Sequence, residues 1–429
     1  MARLQPRSRK HSLVYHRVQS PRATYEWAAA LARRCGVTRC GGITGLDRLG
    51  LPVFQSYRPN ARSISVSAGK GIDRFAARTS ALMEGIELHH AESVSPGRRF
   101  RYCDPPVAGD RLLDPGDFAL PPHVETVRQV ELDWLEGFDL FNHLDDAVAA
   151  PGRRVRASEA GIWAPYDAVH CKFDMATLAE TPAGLFRTNS NGLASGFTGS
   201  EAVCHALCEV IERHCVIEWM RSREDHLIAT RIELDSITDE HVQGLLARLH
   251  QRDVDVALWD VSGSMGVPVF RCALCDRSPD GFYTLMPSVG AGCHPSRSYA
   301  MIRAITEAVQ ARLTLIAGSR EDISHSIYRA GEDWSLWNAQ RQEIIDPTAG
   351  MDAADTPGFD SEYVEDDIVW LLERLGDAGF DRAVAVDLSR PEFGVPVMRV
   401  LVPGLQAPVP DGHRGAIDAP GADGGNQGH

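Results

Sequence analysis

The residue types best suited to chemistry sit together in one stretch. Residues 191–216, NGLASGFTGSEAVCHALCEVIERHCV, read as a Gly/Ser/Thr-rich loop running into a helix, with Thr198 and Ser200 as candidate N-caps. At ~100° per residue, His205, Cys208, Glu209 and Glu212 fall within roughly a quarter-turn of Glu201. Ala202, Val203, Ala206, Leu207, Val210 and Ile211 take the opposite arc. A solvated acidic face normally interleaves Lys or Arg at i+4, and here only Glu209–Arg213 fits that pattern. Three carboxylates on one face repel each other unless a cation sits among them. Hard divalent cations take oxygen ligands and share them with phosphates, so the face suits a metal–nucleotide pair, with a plain solvated face as the alternative.

Two further helices carry related faces. In SVSAGKGIDRFAARTSALMEGIELHHAE (65–92), Ser80, Glu84 and Glu87 lie within ~60° of one another, and Leu82, Met83 and Ile86 lie elsewhere. In GAGCHPSRSYAMIRAITEAVQARLTLIAG (290–318), Arg303, Glu307, Gln310 and Thr314 share a face. Arg312 falls in that helix's apolar arc, where a guanidinium requires a carboxylate, a phosphate or an exposed edge. Each helix follows a Gly-rich loop, where free N–H groups and the helix dipole favour anions. Singly the loops are unspecific: Gly290-x-Gly292 is not a dinucleotide fingerprint, and Lys70 lacks the upstream glycine of a Walker A loop. Jointly, five carboxylates (Glu84, Glu87, Glu201, Glu209, Glu212) with Ser80, Gln310 and Lys70 suit Mg2+ and a nucleoside triphosphate.

The elements that must position these faces follow from pattern. Residues 24–35 read as a helix, 50–59 and 63–69 as strands, 73–92 as a helix, 93–123 as surface loop, and 160–172 as strand-like. An internal repeat links 245–274 (LLARLHQRDVDVALWDVS…GVPVFRCAL) with 371–402 (LLERLGDAGFDRAVAVDLS…GVPVMRVLV), and 29–55 is a fainter third copy. Each copy predicts helix, strand, turn, strand, with proline where a strand starts. Residues 318–360 read as a polar insertion holding two tryptophans. The expected organisation is a basic arm (1–23), one interlocked domain (24–405) and a disordered tail (406–429).

Composition narrows the partners. With 429 residues and a net charge of −14, the chain can bury a large core but lacks the basic surface that displaces counterions from nucleic acid. No apolar h-region follows the basic start, and no run of 18 apolar residues occurs, so neither a signal peptide nor a membrane span is expected. Ten scattered cysteines indicate a reducing, cytoplasmic setting; Cys272-x-x-Cys275 lies in an alternating strand pattern and reads as structural thiols rather than zinc.

At SVSAGKG…SALMEGIE, NGLASG…EAVCHALCEVIER, GAGCHPSR…AITEAVQARLTLIAG and PVMRVLVPGL the chain resembles YcaO-domain proteins, over residues 35–405. The resemblance implies an α/β (α+β) YcaO-type fold with ATP and Mg2+ bound by the acidic faces. It implies Glu84, Glu87, Glu201, Glu209 and Glu212 as metal ligands, and Ser80, Glu201, Gln310 and Arg312, joined by Lys70, as ATP-binding residues. Glu84, Glu209, Glu212 and Arg213 are the expected catalytic residues. The implied chemistry is phosphorylation of a peptide-amide oxygen, with a side-chain thiol or hydroxyl (giving an azoline) or external sulfide (giving a thioamide) as nucleophile.

The chain departs from that pattern at Phe197, where many members have Asn, and at Leu88, where many have Arg. The local form Glu87-Leu88-x-His90-Ala91-Glu92 is similar to members encoded beside a TfuA-type protein. Azoline-forming members commonly end in Pro-x-Pro-x-Pro, and here only Pro408-Val409-Pro410 occurs. The expectation is therefore a thioamide-forming enzyme acting on a peptide or protein with a TfuA-like sulfur-delivery partner. The alternatives are an azoline-forming cyclodehydratase using a separate leader-peptide-binding protein, and a non-catalytic nucleotide-binding scaffold. A homodimer is expected, and His89 and His90 are assigned structural or surface roles.

Overall fold

The computed structural model describes residues 7–105, 111–120, 123–142, 162–172, 186, 189–221, 227–277, 285–346 and 350–406. In chain order the elements are α1 (Pro21–Arg34), β1 (Arg39–Gly42), β2 (Val53–Tyr57), β3 (Val66–Lys70), α2 (Arg74–Ser93), β4 (Arg98–Arg101), β5 (Arg111–Leu112), α3 (Val124–Val127), β6 (Glu131–Asp139) and β7 (Ile162–Pro165). They continue with β8 (Leu193–Ser195), α4 (Gly199–Arg221), α5 (Glu240–His250), β9 (Val254–Asp260), β10 (Val269–Asp276), β11 (Ser288–Cys293) and α6 (Arg297–Ala317). The last are α7 (His325–Ala330), α8 (Trp334–Ile345), α9 (Val364–Asp377), β12 (Val384–Asp387) and β13 (Val397–Leu401).

The three expected repeats are realised as α1–β1–β2, α5–β9–β10 and α9–β12–β13, each strand pair antiparallel. Their equivalence extends to single dihedrals. Gly50, Gly266 and Gly394 have φ of 71°, 65° and 68°, the left-handed conformation that costs glycine nothing. Each is followed two residues later by Pro52, Pro268 or Pro396, immediately before its strand, where a missing N–H breaks no ladder.

Every unit also acquires a third strand that leads into an acidic helix. β3 pairs with β2 and enters α2; β11 pairs with β10 and enters α6; β8 pairs with β13 and enters α4. In the third unit this strand–helix pair comes earlier in the chain than the strands it joins, so a linear repeat search finds only part of the unit. β12, β13 and β8 complete a larger sheet ordered β5-β7-β6-β12-β13-β8, with β4 also on β6. Three clusters of buried apolar side chains underlie the units.

Two of the Gly-rich "loops" are strand residues. A Cβ on Gly69 would sit 2.0 Å from the Ala81 nitrogen of α2, and one on Gly290 would sit 2.2 Å from the Ala308 nitrogen of α6. These glycines therefore let the acidic helices cross the strands at backbone contact, which is a packing role rather than a phosphate cradle. The start of α2 is likewise taken: Asp73 accepts from the Phe75 and Ala76 N–H groups at 2.6 and 3.0 Å.

Boundaries shifted where caps decided them. α1 starts at Pro21 rather than residue 24, because Ser20 accepts from the Ala23 N–H and proline suits the first helical position. Thr198, not Ser200, caps α4, accepting from the Glu201 N–H at 3.2 Å. The segment read as an insertion forms α7 and α8, and Trp337 within it is buried in the core. The expected disordered tail, with Pro408-Val409-Pro410, lies beyond Gln406 and outside the described residues. Cys272 and Cys275 are buried free thiols of β10. Among the described residues, no helix is long and apolar enough to cross a membrane.

Candidate active site

The acidic faces of α2, α4 and α6 converge on one cavity of about 630 Å³. Helical periodicity alone turns Glu84 and Glu87 (α2), Glu201, Glu209 and Glu212 (α4) and Glu307 (α6) inward, because the apolar arcs of the same helices are buried in the cores. Lys70, at the end of β3, and Ser80, Arg213 and Gln310 also line it. Of the residues expected to bind ATP or metal, only Arg312 lies elsewhere.

Arg312 is buried on the opposite side of α6, where its guanidinium meets Asp47 at 2.6 Å and Asp276 at 3.1 Å. The apolar arc did demand a counter-charge, and two carboxylates supply it, so the assignment of Arg312 to ATP is corrected to a structural ion pair. Arg312→Met should leave the nearly buried Asp47 carboxylate without its guanidinium and Asp276 with Arg48 alone, and cost about 3 kcal/mol of stability. Nucleotide affinity, measured by calorimetry below the lowered melting temperature, should stay unchanged.

The carboxylates fall into two groups. Glu212 accepts from the Cys293 N–H at 3.0 Å and lies 3.9 Å from Arg303. Glu307 is ion-paired with Lys70 and accepts from the Ala291 N–H at 3.3 Å. Burial pushes the Glu307 carboxyl up, but Lys70, Arg213 and Arg303 outweigh it and hold it at about 2.

Glu84, Glu87 and Glu209 are short of positive charge. Burial raises Glu84 to about 6 against the pull of Arg320 and Lys70. Burial raises Glu87 to about 8, assisted by the charges of Glu84 and Glu209 and opposed by the Ser195 N–H and Oγ, which donate at 2.9 and 2.6 Å. Burial and the neighbouring Glu212 raise Glu209 to about 7, despite Arg213. Three half-buried carboxyl groups on one cavity, their ionisation suppressed, offer only hard oxygen donors, a chemistry that fits Mg2+.

Glu201 holds a different position. Its oxygens accept from the Phe197 N–H at 2.9 Å and from Arg17 at 3.2 Å, so this carboxylate braces the loop before α4 and the N-terminal segment. His205, one turn further on, lies 3.5 Å from Arg17 and 3.3 Å from Arg303. Burial and the charges of Arg17, Arg303 and Lys70 lower its pKa well below the usual imidazole value, so its ring is neutral.

Several lining residues were not picked out as ligands from sequence. Glu307 and Arg303 share the helical face of Gln310, a signal sufficient to find them. His205 shared the acidic face of α4. Arg17, Tyr15 and Arg320 come from the basic arm and the supposed insertion, where no periodicity marks them. His89 and His90 pack on Phe393 and do not line the cavity.

The fold thus brings carboxylates and cations from three acidic helices around one cavity. The chain belongs to the YcaO family: residues 68–406 match the family model described as YcaO cyclodehydratase, ATP- and Mg2+-binding. It is 32% identical over 403 residues to an uncharacterised protein in the tfuA 3′ region of Rhizobium leguminosarum bv. trifolii, covering 92% of this chain and 90% of that one. An uncharacterised protein of Methanothermobacter thermautotrophicus is 32% identical over 378 residues, covering 86% and 90%.

Among solved structures, YcaO from Methanopyrus kandleri bound with AMPPCP and Mg2+ superposes with a TM-score of 0.67 at 22% identity, covering 97% of this chain and all (100%) of that one. A heterocyclase in complex with substrate and cofactor superposes with a TM-score of 0.73 at 19% identity. The match covers 94% of this chain, which spans about half (54%) of that heterocyclase. These likenesses establish the fold.

Proposed function

We propose that the protein uses Mg2+ and ATP to activate a peptide backbone amide, replacing its oxygen with sulfur to give a thioamide. The observation that carries this reading is the uncompensated trio Glu84, Glu87 and Glu209 beside the compensated group Glu212, Glu307, Lys70, Arg213 and Arg303. The trio would hold Mg2+, which supplies charge neutralisation to the phosphates. Lys70, Arg213 and Arg303 would face the same phosphates from the other side.

An amide carbonyl is a weak electrophile, and its oxygen is a very poor leaving group. Hydrosulfide attack on the carbonyl carbon gives a tetrahedral oxyanion. That oxygen takes the γ-phosphoryl group and ADP departs. The carbon–oxygen bond then breaks, phosphate leaves, and loss of the S–H proton completes the C=S bond. No protein nucleophile is required, so the chain contributes positioning and charge neutralisation. Leu88 and the local Glu-Leu-x-His-Ala-Glu form support a TfuA-like sulfur donor, as does the relative named for the tfuA region. The family description favours a second reading, ring closure by a neighbouring side chain to give an azoline.

Mass spectrometry of a small peptide encoded beside the gene, incubated with ATP and a sulfide source, tests the reading. A gain equal to the sulfur–oxygen difference supports thioamide formation. Loss of one water supports the azoline, and no change with ATP intact supports a scaffold.

Phe197 lies at the cavity wall, 38% exposed, with its ring 5.3 Å from that of Trp27. It offers packing where an amide side chain would offer a hydrogen bond. A hydrogen bond to a charged group contributes about 1.5–3 kcal/mol, so Phe197→Asn should tighten nucleotide binding or raise turnover about tenfold. Unchanged affinity and rate would show that position 197 does not face the phosphates.

A further inference from the structure

The segment before α1 reaches the cavity through a cluster that the proposed chemistry does not use. His16, His294 and Asp367 are buried, with one ring nitrogen or carboxylate oxygen from each within 4.8 Å of the others. Such a trio would suit a transition metal, but its geometry assigns it otherwise. Lys10 Nζ lies 2.6 Å from Asp367 Oδ2 and 3.3 Å from His16 Nδ1, and donates to the Ser361 carbonyl at 2.8 Å. The ammonium thus makes hydrogen bonds to His16 and Ser361 and an ion pair with Asp367, and both the Lys10 and Asp367 side chains are 0% exposed. His294 Nδ1 accepts the Ser296 N–H at 3.0 Å, which leaves the ring proton on Nε2, the nitrogen facing Asp367 at 3.9 Å. A protonated nitrogen has no lone pair for a metal. The cation of this site is Lys10 itself.

What the ammonium holds is a turn. His16 has φ of 47°, an uncommon conformation for a residue with a side chain, and its N–H donates to the Ser12 carbonyl at 2.9 Å. The His11 N–H closes the same turn by donating to the Arg17 carbonyl at 2.7 Å. The His16 ring packs at 4.4 Å from His294 and 5.0 Å from Tyr299. On either side of that anchored ring stand two cavity-lining residues. Tyr15 donates to Asp73, the cap of α2, at 2.5 Å, and Arg17 reaches Glu201 and His205 of α4.

We propose that Lys10 is a positioning residue for nucleotide binding: bridging Asp367, His16 and the Ser361 carbonyl, it fixes the turn at His16 and thereby sets Arg17 in the cavity wall. The inference rests on the cavity being the nucleotide site. Ser8 supports it, since its N–H donates to Glu365 Oε2 on α9 at 2.7 Å, tying the segment to the helix that carries Asp367. The cavity wall formed by Val14, Tyr15, Arg17 and Gln19 thus depends on a charge buried outside the cavity.

The test uses the full chain. Lys10→Met should weaken Mg·AMPPCP binding and raise KM for ATP about tenfold or more, with kcat at saturation within about threefold. Arg17→Gln should show the same split, and the double variant should bind no more than about twofold worse than either single one, because Lys10 acts through Arg17. Hydrogen exchange in the nucleotide-free protein gives an independent readout. The His11 and His16 amides should exchange faster in Lys10→Met and unchanged in Arg17→Gln. Lys10→Met/Asp367→Asn leaves no unpaired charge and should reproduce the fast exchange even if the single variant folds poorly. Wild-type exchange at those amides in both Lys10 variants would overturn the proposal, as would penalties that multiply in the double variant. Failure of the wild-type protein to bind Mg·AMPPCP would instead overturn the nucleotide site and leave the exchange result to judge the turn.

Discussion

Glu209→Gln is expected to lower ATP-dependent turnover about 10²- to 10³-fold while leaving the fold intact. The substitution keeps the shape of the side chain and removes one anionic oxygen from the trio with Glu84 and Glu87 that is proposed to hold Mg2+. Its effect on stability has the opposite sign. A carboxyl whose folded-state pKa is raised favours the folded protein when protonated, and that contribution is lost as pH rises through the folded value. For Glu84, Glu87 and Glu209 these values rise from the ordinary 4.5 to about 6, 8 and 7, so the Mg2+-free protein should lose stability progressively between pH 4.5 and 8. Glu209→Gln should therefore melt higher than wild type at pH 8 without Mg2+, and by a smaller margin at pH 6. Mg2+ should raise the wild-type melting temperature more at pH 8 than at pH 6, and raise that of the variant less. Calorimetric melts at the two pH values check all of this. A wild-type melt indifferent to Mg2+ at pH 8 would contradict the metal-binding trio.

Lys70→Met should lower kcat/KM for ATP about 10²-fold, because solvent cannot replace a preorganised cation aimed at the phosphates. Lys70 has a second partner to lose, since its ammonium pairs with Glu307. The double variant Lys70→Met/Glu307→Gln separates the two effects. If Lys70 only neutralises Glu307, removing both charges should return activity close to wild type. If Lys70 also faces phosphate, the double variant should recover stability and stay about 10²-fold slow. Steady-state ATPase kinetics with a peptide substrate, beside a melt of each variant, distinguish these outcomes.

The inner faces of the site were readable because a helix fixes which residues share a side. Glu84 with Glu87, and Glu209 with Glu212, could point only one way once Ile86, Leu207 and Ile211 were placed in the core. The same rule marked Arg312 as a charge in an apolar arc. It could not say that Asp47 and Asp276, far away in the chain, would answer that charge. Gly69 and Gly290 looked like phosphate loops because a glycine needed for close helix–strand packing and one needed for a loop are the same letter.

Arg17, Tyr15 and Lys10 were not legible as site residues at all. Their positions depend on a turn whose anchors, Asp367 and His294, belong to distant elements. Arg320 entered the cavity from a segment whose polarity suggested only a surface insertion. The third unit was half-hidden because β8 and α4 precede the strands they join.

The most direct test of the account follows the amide oxygen itself. A substrate peptide carrying a heavy-oxygen label in the modified carbonyl is incubated with the protein, Mg2+, ATP and a sulfide source, and the inorganic phosphate is analysed by mass spectrometry. One labelled oxygen is expected in phosphate for each thioamide formed, because that oxygen leaves the carbon only as phosphate. Sulfur incorporation with unlabelled phosphate, or labelled water in its place, would contradict activation of the amide by ATP.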